Sequence, residues 1–286
     1  MISVIMPTHK RPPMLHNTLL SVFSQWIDDF EFVVVDASED RYFKTAVEEL
    51  FDSSKTLQFY APRLNKLKIV YPEKDKNRPG AMKMLGFSYS KDDDDFVVFL
   101  DHDDWLGSNI LCHVQRAYKE FPDTEMFSTK YTSVSYSNGR VYTNLLTFFG
   151  GEKCEETNSL KVGPLTYTFE RSQDVYRSLH PFKAAMHPKI ISKKVMRDGR
   201  FTFIADTRVS DDTIWPVVSH SFVETYIPAV GYIYVAYLSD DYISNSCDPQ
   251  RKPSETAKRY AKCCEEYEKM LTEIGYKKHK NIYNIK

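Results

Sequence analysis

Three carboxylates, Asp101, Asp103 and Asp104, fall within four positions directly after the apolar run Phe96-Val97-Val98-Phe99-Leu100. A run of β-branched and aromatic residues without polar alternation reads as a central strand buried on both faces. Acids that end such a strand arrive at the carboxyl edge of a sheet, where open α/β sheets bind ligands. Carboxylates this close repel one another unless a cation sits among them, and hard oxygen ligands suit Mg²⁺ or Mn²⁺. A plainer reading is an acidic turn in which Asp103 or Asp104 caps a helix running from Trp105 to Phe121. The rest of the chain has to decide between the two.

The elements that would position these acids alternate over the first hundred residues. Ile2–Met6 reads as a short buried strand closed by Pro7. Pro12 and Pro13 then open a helix with Leu15, Leu19, Val22, Phe23 and Trp26 at helical spacing. Glu31–Val35 is a second buried strand ending at Asp36, Tyr42–Phe51 a helix, Leu67–Tyr71 a third strand, and Pro79 to about Ser90 a further helix. Strand-helix alternation of this kind implies a parallel, doubly wound sheet. Beyond Trp105 the pattern changes. A helix over 108–121 precedes two strand-like runs, Glu125–Tyr136 and Arg140–Phe148, joined by Ser137-Asn138-Gly139 as a hairpin turn. Residues 150–182 are polar and irregular, which suits a substrate loop or small insertion. A short helix near Asp211–His220, a strand over Thr225–Leu238 and a last helix from Pro253 to Gly275 complete the pattern.

Composition narrows the function classes. With 38 basic and 39 acidic side chains the formal net charge is −1, so no global basic field points to nucleic acid or an anionic membrane. Five cysteines without C-x-x-C spacing suggest neither a disulfide framework nor a zinc site, and reduced thiols in a cytoplasmic protein are expected. No apolar run approaches the roughly 18 residues of a membrane span, and the first strand is too short to be a signal peptide. Only 10 glycines, against 19 tyrosines and 18 phenylalanines, weaken any glycine-loop reading of phosphate binding.

On this strand order Pro7, Thr8, His9, Lys10 and Arg11 follow strand one, Asp36 ends strand two, and Asp101 and Asp103 end strand four. Lys83 lies on the helix between strands three and four. One rim therefore gathers acids and bases that suit a nucleoside diphosphate and a divalent ion. Asp36 can accept a hydrogen bond from a uracil ring or ribose, Asp103 can hold the metal, and Lys83 and Arg11 can offset phosphate charge. Singly, Arg11 and Lys83 read as solvated charges and Asp36 as a turn residue.

The segment Ser3-Val4-Ile5-Met6-Pro7-Thr8-His9-Lys10-Arg11-Pro12 resembles the first strand and loop of glycosyltransferase family 2. Leu20–Gln25 followed by Phe30–Asp36 is similar to that family's helix and second strand. Phe99-Leu100-Asp101-His102-Asp103-Asp104 is similar to its D-x-D motif, and Ser210-Asp211-Asp212-Thr213-Ile214-Trp215 to its late acidic pair. The resemblance is strong over 1–105 and moderate over 185–216. It implies a GT-A fold: a Rossmann-like, mostly parallel doubly wound α/β sheet with an acceptor-side α+β extension and a C-terminal helix. Residues 1–105 would be the nucleotide-sugar-binding half, 106–250 the acceptor half, and 251–286 the helix and basic tail. It further implies nucleotide-sugar contacts at Pro7, Thr8, Arg11, Asp36, Lys83, Asp101 and His102, and Mn²⁺ or Mg²⁺ at Asp103 and Asp101. Asp212 would be the general base, with Asp211 as runner-up, in an inverting transfer from a UDP-sugar to a hydroxyl acceptor, most simply a glycan.

The sequence also departs from the family. Ala37 stands where a second acid usually follows Asp36, and Lys83-Met84 where Arg-Asn is usual. No histidine occurs in Leu238–Asn245, where Asp240 is the substitute candidate ligand. Rival readings are a haloacid-dehalogenase-type phosphatase, which would carry Asp101-His102-Asp103 after its first strand, and a nucleotidyltransferase, which would open on a glycine-rich loop. A non-catalytic nucleotide-sugar binder and a phage-type enzyme acting on hydroxymethylated DNA bases are the other two.

Overall fold

A computed structural model describes residues 1–73, 78–92, 95–137, 140–148, 159–162, 165–168, 189–203, 222–239, 242–243 and 280–282. Its first half is built from β1 (Ile2–Thr8), α1 (Leu15–Phe23), β2 (Phe30–Asp36), α2 (Tyr42–Ser53) and α3 (Lys55–Phe59). A 3₁₀ turn, β3 (Leu67–Val70), α4 (Pro79–Tyr89) and β4 (Phe96–Phe99) follow. The second half carries β5 (Trp105–Leu106), α5 (Ile110–Glu120), β6 (Met126–Ser137), β7 (Arg140–Phe148) and the separate hairpin β8 (Ser159–Val162) and β9 (Leu165–Thr168). It closes with β10 (Lys189–Ser192), α6 (Lys193–Arg197), β11 (Glu224–Ser239), β12 (Tyr242–Ile243) and β13 (Lys280–Ile282).

The main path of the sheet runs β12-β11-β6-β10-β4-β1-β2-β3. The strands β3, β2, β1 and β4 are mutually parallel, as the alternation predicts. Every residue of β1, β2 and β4 is buried, and their side chains alternate between two cores. Val4, Met6, Phe32, Val34, Phe96 and Val98 face a cluster covered by α1, α2 and α5. Ile5, Val33, Val35, Val97 and Phe99 face the other, with Met82 of α4 and Val195 and Met196 of α6. Helices on both faces explain why the middles of these strands are apolar, and why their polar residues Ser3, Thr8, Glu31 and Asp36 sit at the strand ends with hydrogen-bond partners.

The sequence pattern differs from the structure at several points. Trp26, expected on the buried stripe of α1, lies beyond the helix end and is 77% exposed. No helix starts at Trp105; that residue enters the short strand β5, and α5 begins only at Ile110 after Asn109 in the left-handed region. The interval 150–182, read as irregular, contains the hairpin β8–β9. The sheet is mostly parallel with a mixed extension, as the family resemblance implies; the antiparallel strand β10, inserted between β4 and β6, is what the strand-helix alternation alone did not indicate. The hairpin of β6 and β7 and the strand over 225–238 are present. The proposed helices near 211–220 and 253–275 lie outside the described residues.

Candidate active site

The acids after β4 sit in a tight turn closed by the Asp104 amide donating to the Asp101 carbonyl at 3.0 Å. Four more contacts pin it. The Leu100 amide continues the β4–β1 ladder to the Ile5 carbonyl at 2.9 Å. Thr18 of α1 donates to the His102 carbonyl at 3.2 Å. The Asp101 amide donates to the Tyr232 hydroxyl at 3.3 Å, and the Lys83 ammonium stands 3.3 Å from the Asp101 carboxylate. Asp101 and Asp103 remain partly exposed, the Asp101 side chain at 40%, whereas His102 and Asp104 are buried.

Asp104 is turned inward. Its carboxylate accepts the Tyr232 hydroxyl at 2.5 Å on one oxygen and the Val235 amide at 2.8 Å on the other. Burial, and then the negative charges of Asp103 and Asp101, hold its pKa well above the usual carboxylate range. Burial together with the neighbouring Asp104 and Asp101 also raises the Tyr232 phenol. Of the three strand-end acids, Asp104 is buried while Asp101 and Asp103 keep some exposure.

Lys83 reaches this turn because α4 lies directly on the sheet. A Cβ at Gly86 would come within 2.4 Å of the Ile5 Cγ2 and 3.1 Å of the Val35 Cγ2, so only glycine allows this approach. Three residues earlier on the same helical face, Lys83 is 2% exposed, and its ammonium also lies 5.2 Å from the Phe203 ring.

The ends of β1 and β2 complete the rim. Thr8 pairs with Asp36 in register, and the Ala37 amide donates to the Thr8 carbonyl at 2.7 Å. Asp36 is 1% exposed and organises its own loop. One carboxylate oxygen accepts the Ser38 amide at 3.0 Å and hydroxyl at 2.5 Å; the other accepts the Phe43 amide at 3.2 Å in the first turn of α2. The carboxylate thus satisfies orphan helix donors and complements the positive end of α2. Thr8 shares a 2.5 Å hydrogen bond with the Tyr42 hydroxyl, which also reaches the Lys10 carbonyl at 2.8 Å. Arg11 is turned along the surface toward α2, where it pairs with Glu49 at 2.9 Å. His9 stands edge-on to His102 with ring centroids 5.2 Å apart. Loss of hydration in this packing, then the neighbouring His102 and Lys10, brings the His9 pKa down to about 4.

The structure therefore brings together Pro7, Thr8, Asp36, Lys83, Asp101, His102 and Asp103 at one sheet edge, with Arg11 directed to its flank. Asp211, Asp212 and Asp240 lie outside the described residues. Sequence reading missed Tyr232, more than a hundred residues from its partners. It also missed Gln25, whose side chain donates to the Gly107 carbonyl at 2.9 Å and accepts the Leu111 amide at 3.1 Å. A polar residue at the end of an apolar helix was the available signal for Gln25; nothing local marks Tyr232. Asp95, just before β4, lies at the opposite edge of the sheet, its amide donating to the Met1 carbonyl at 3.0 Å.

A parallel β3-β2-β1-β4 core carrying an Asp-x-Asp turn at its carboxyl rim, extended by a mixed sheet, defines the GT-A class of fold. The chain itself belongs to glycosyl transferase family 2, whose sequence model matches residues 3–176. It is 26% identical over 202 residues to the succinoglycan biosynthesis protein ExoW of Rhizobium meliloti (strain 1021), covering 70% of this chain and 57% of that protein. Among solved structures, TarS 1–349 of S. aureus in complex with UDP-GlcNAc superposes with a TM-score of 0.57 at 18% identity, over 93% of this chain and 66% of that one. GalNAc-T7 with UDP, GalNAc and Mn²⁺ gives 0.54 at 15% identity, over 93% and 48%. At those identities the two structures establish the fold. The chain spans little more than half the length of ExoW, at 57%.

Proposed function

We propose that the protein is an inverting glycosyltransferase that moves a sugar from a UDP-sugar to a hydroxyl of a glycan acceptor. The observation that carries this reading is the turn at Asp101–Asp104. Two partly exposed acids, Asp101 and Asp103, stand at the edge where β1, β2 and β4 end, and Asp101 pairs with the buried Lys83. The TarS and GalNAc-T7 complexes, which hold UDP-GlcNAc and UDP respectively, support a uridine nucleotide. The name of ExoW supports a polysaccharide product.

The donor set fits a hard divalent cation. Mg²⁺ and Mn²⁺ take one or two protein carboxylates and fill their shell with phosphate oxygens and water. Among the described residues no three His, Cys, Asp or Glu side chains form a full metal cage, in keeping with an ion shared with substrate. Asp103 and Asp101 would hold that ion, which supplies positive charge against the departing diphosphate. Lys83 keeps Asp101 oriented and adds a second positive charge near the phosphates. Pro7, Thr8, Arg11, Asp36 and His102 line the nucleotide side, Asp36 by fixing the β2 loop against which the base would rest.

Asp212 is the proposed base, with Asp211 second, taking the proton of the acceptor hydroxyl as it attacks opposite the leaving group. Phe203, the last described residue before them, packs beside Lys83. Nine residues of chain reach at most about 30 Å, so Asp212 is within range of the rim.

Equilibrium binding of UDP with Mn²⁺, followed by transfer assays over a panel of UDP-, GDP- and TDP-sugars, tests the reading. Asp212→Asn is expected to bind UDP like the wild type and to lose transfer by about 10²-fold or more, the scale of general-base loss. Wild-type turnover by Asp212→Asn would remove the base assignment.

A further inference from the structure

We infer that Asp104 and Tyr232 are positioning residues that lock the Asp101–Asp103 turn onto the bend of β11, a role resting on the site reading proposed above. Tyr232 is 2% exposed, and its hydroxyl sits between two parts of the turn. It donates to the Asp104 carboxylate at 2.5 Å and accepts the Asp101 amide at 3.3 Å. The second Asp104 oxygen takes the Val235 amide at 2.8 Å. Asp104 is 2% exposed and each of its oxygens faces a buried donor, so its carboxylate serves the interior rather than the rim. This converts the third acid of the motif into a strut between the donor half and β11.

The surrounding backbone shows why the strut is needed. β11 slips register against β6 between Ile227 and Val230 and again between Val230 and Tyr232. Such irregularities re-aim the side chains that follow them. They turn Tyr232 toward β5, where it pairs with Leu106. At the same bend the backbones nearly touch: a Cβ on Gly107 would lie 1.7 Å from the Val230 carbonyl oxygen. A Cβ on Gly231 would lie 2.2 Å from the Thr129 hydroxyl oxygen. The Gly107 amide donates to the Gly231 carbonyl at 2.9 Å, and Ser21 of α1 and Gln25 just beyond its end hold the same segment. The turn is thus gripped on both sides. Through its one hydroxyl Tyr232 hydrogen-bonds two of the motif's acids at once, the Asp101 amide and the Asp104 carboxylate.

The test measures UDP affinity with and without Mn²⁺ for the wild type, Tyr232→Phe, Asp104→Asn, Asp103→Ala and the remote control Ser3→Ala. Ser3→Ala removes a buried hydrogen bond to Glu31 at the opposite sheet edge. Tyr232→Phe keeps the ring and loses both hydrogen bonds, so the Mn²⁺-dependent gain in UDP affinity should fall about tenfold, the scale of one hydrogen bond to a charged group. Affinity without Mn²⁺ should stay unchanged. Asp104→Asn, which keeps one acceptor for the Val235 amide, should show a smaller loss. Ser3→Ala should lower the melting temperature without changing either affinity. If Tyr232→Phe and Asp104→Asn both keep the wild-type Mn²⁺ gain while Asp103→Ala loses it, the strut is wrong and the site reading stands. If Asp103→Ala keeps the gain, or the wild type has none, the site reading fails and the strut falls with it.

Discussion

The two edges of the central sheet bury similar chemistry in opposite ways. At the amino edge Glu31 accepts the Ser3 hydroxyl at 2.5 Å and the Lys91 amide at 2.8 Å, with the Lys193 ammonium 3.9 Å away. Lys193 is 0% exposed and donates to the Ser90 hydroxyl at 2.7 Å and the Lys91 carbonyl at 2.8 Å. At the carboxyl edge Lys83 is as deeply buried, yet its partner Asp101 is 40% exposed. The same lysine–carboxylate pairing is a sealed weld in one place and half of an open site in the other. Burial of the cation does not separate them; the solvent left to the anion does.

Substitutions that exploit this contrast should divide stability from activity. Asp103→Ala is expected to leave the melting temperature near the wild type and to reduce transfer by about 10²–10³-fold, the size of a lost transition-state charge contact. Glu31→Ala should do the reverse. Leaving Lys193 without its counter-charge costs about 3–5 kcal/mol, which lowers the melting temperature by on the order of ten degrees, with UDP binding retained by the folded fraction. A Glu31 variant that melts normally but no longer binds UDP would erase the distinction between the edges. Lys83→Met tests the mixed case. Asp101 can hydrate once its partner is gone, so melting should shift by only a few degrees while UDP affinity falls about three- to tenfold.

The smallest effect concerns His9. Its pKa of about 4 in the fold lies below the 6.5 of the free side chain, so the unfolded chain binds more protons between those values. Stability contributed by neutral His9 is therefore complete above pH 6.5 and is lost as pH falls toward 4. His9→Gln should flatten the pH dependence of melting in that window, measured as the difference from the wild type. An unchanged slope would show that the His9–His102 contact does not withdraw the ring from water.

Much of this was readable from residue order alone. Apolar runs without alternation gave β1, β2 and β4 as strands covered on both faces, and the acids after Leu100 and the lysine on the preceding helix fell together at one edge. What local pattern could not supply was long-range pairing. Asp104 looks like a third ligand until Tyr232 and Val235, 128 and 131 residues further on, are seen to occupy both its oxygens. Asp36 looks like a base contact until the donors of its own loop and of α2 are counted. Trp26 keeps the helical spacing of α1, but the helix stops at Phe23 and turns it to solvent. The antiparallel entry of β10 is equally illegible, since a buried strand has the same composition in either direction.

That entry has a consequence for how the protein is made. β4 finds its neighbour β1 early, but its other edge waits for β10, with Val98 opposite Ile190, and its terminal turn waits for Tyr232. At ribosomal speeds of about 5–20 residues per second, more than a hundred residues of synthesis take on the order of ten seconds. Through that interval an apolar strand with an unsatisfied ladder stands open on the nascent chain, inviting pairing with other chains, and the Asp101–Asp104 turn stays unmoored until Tyr232 has been made.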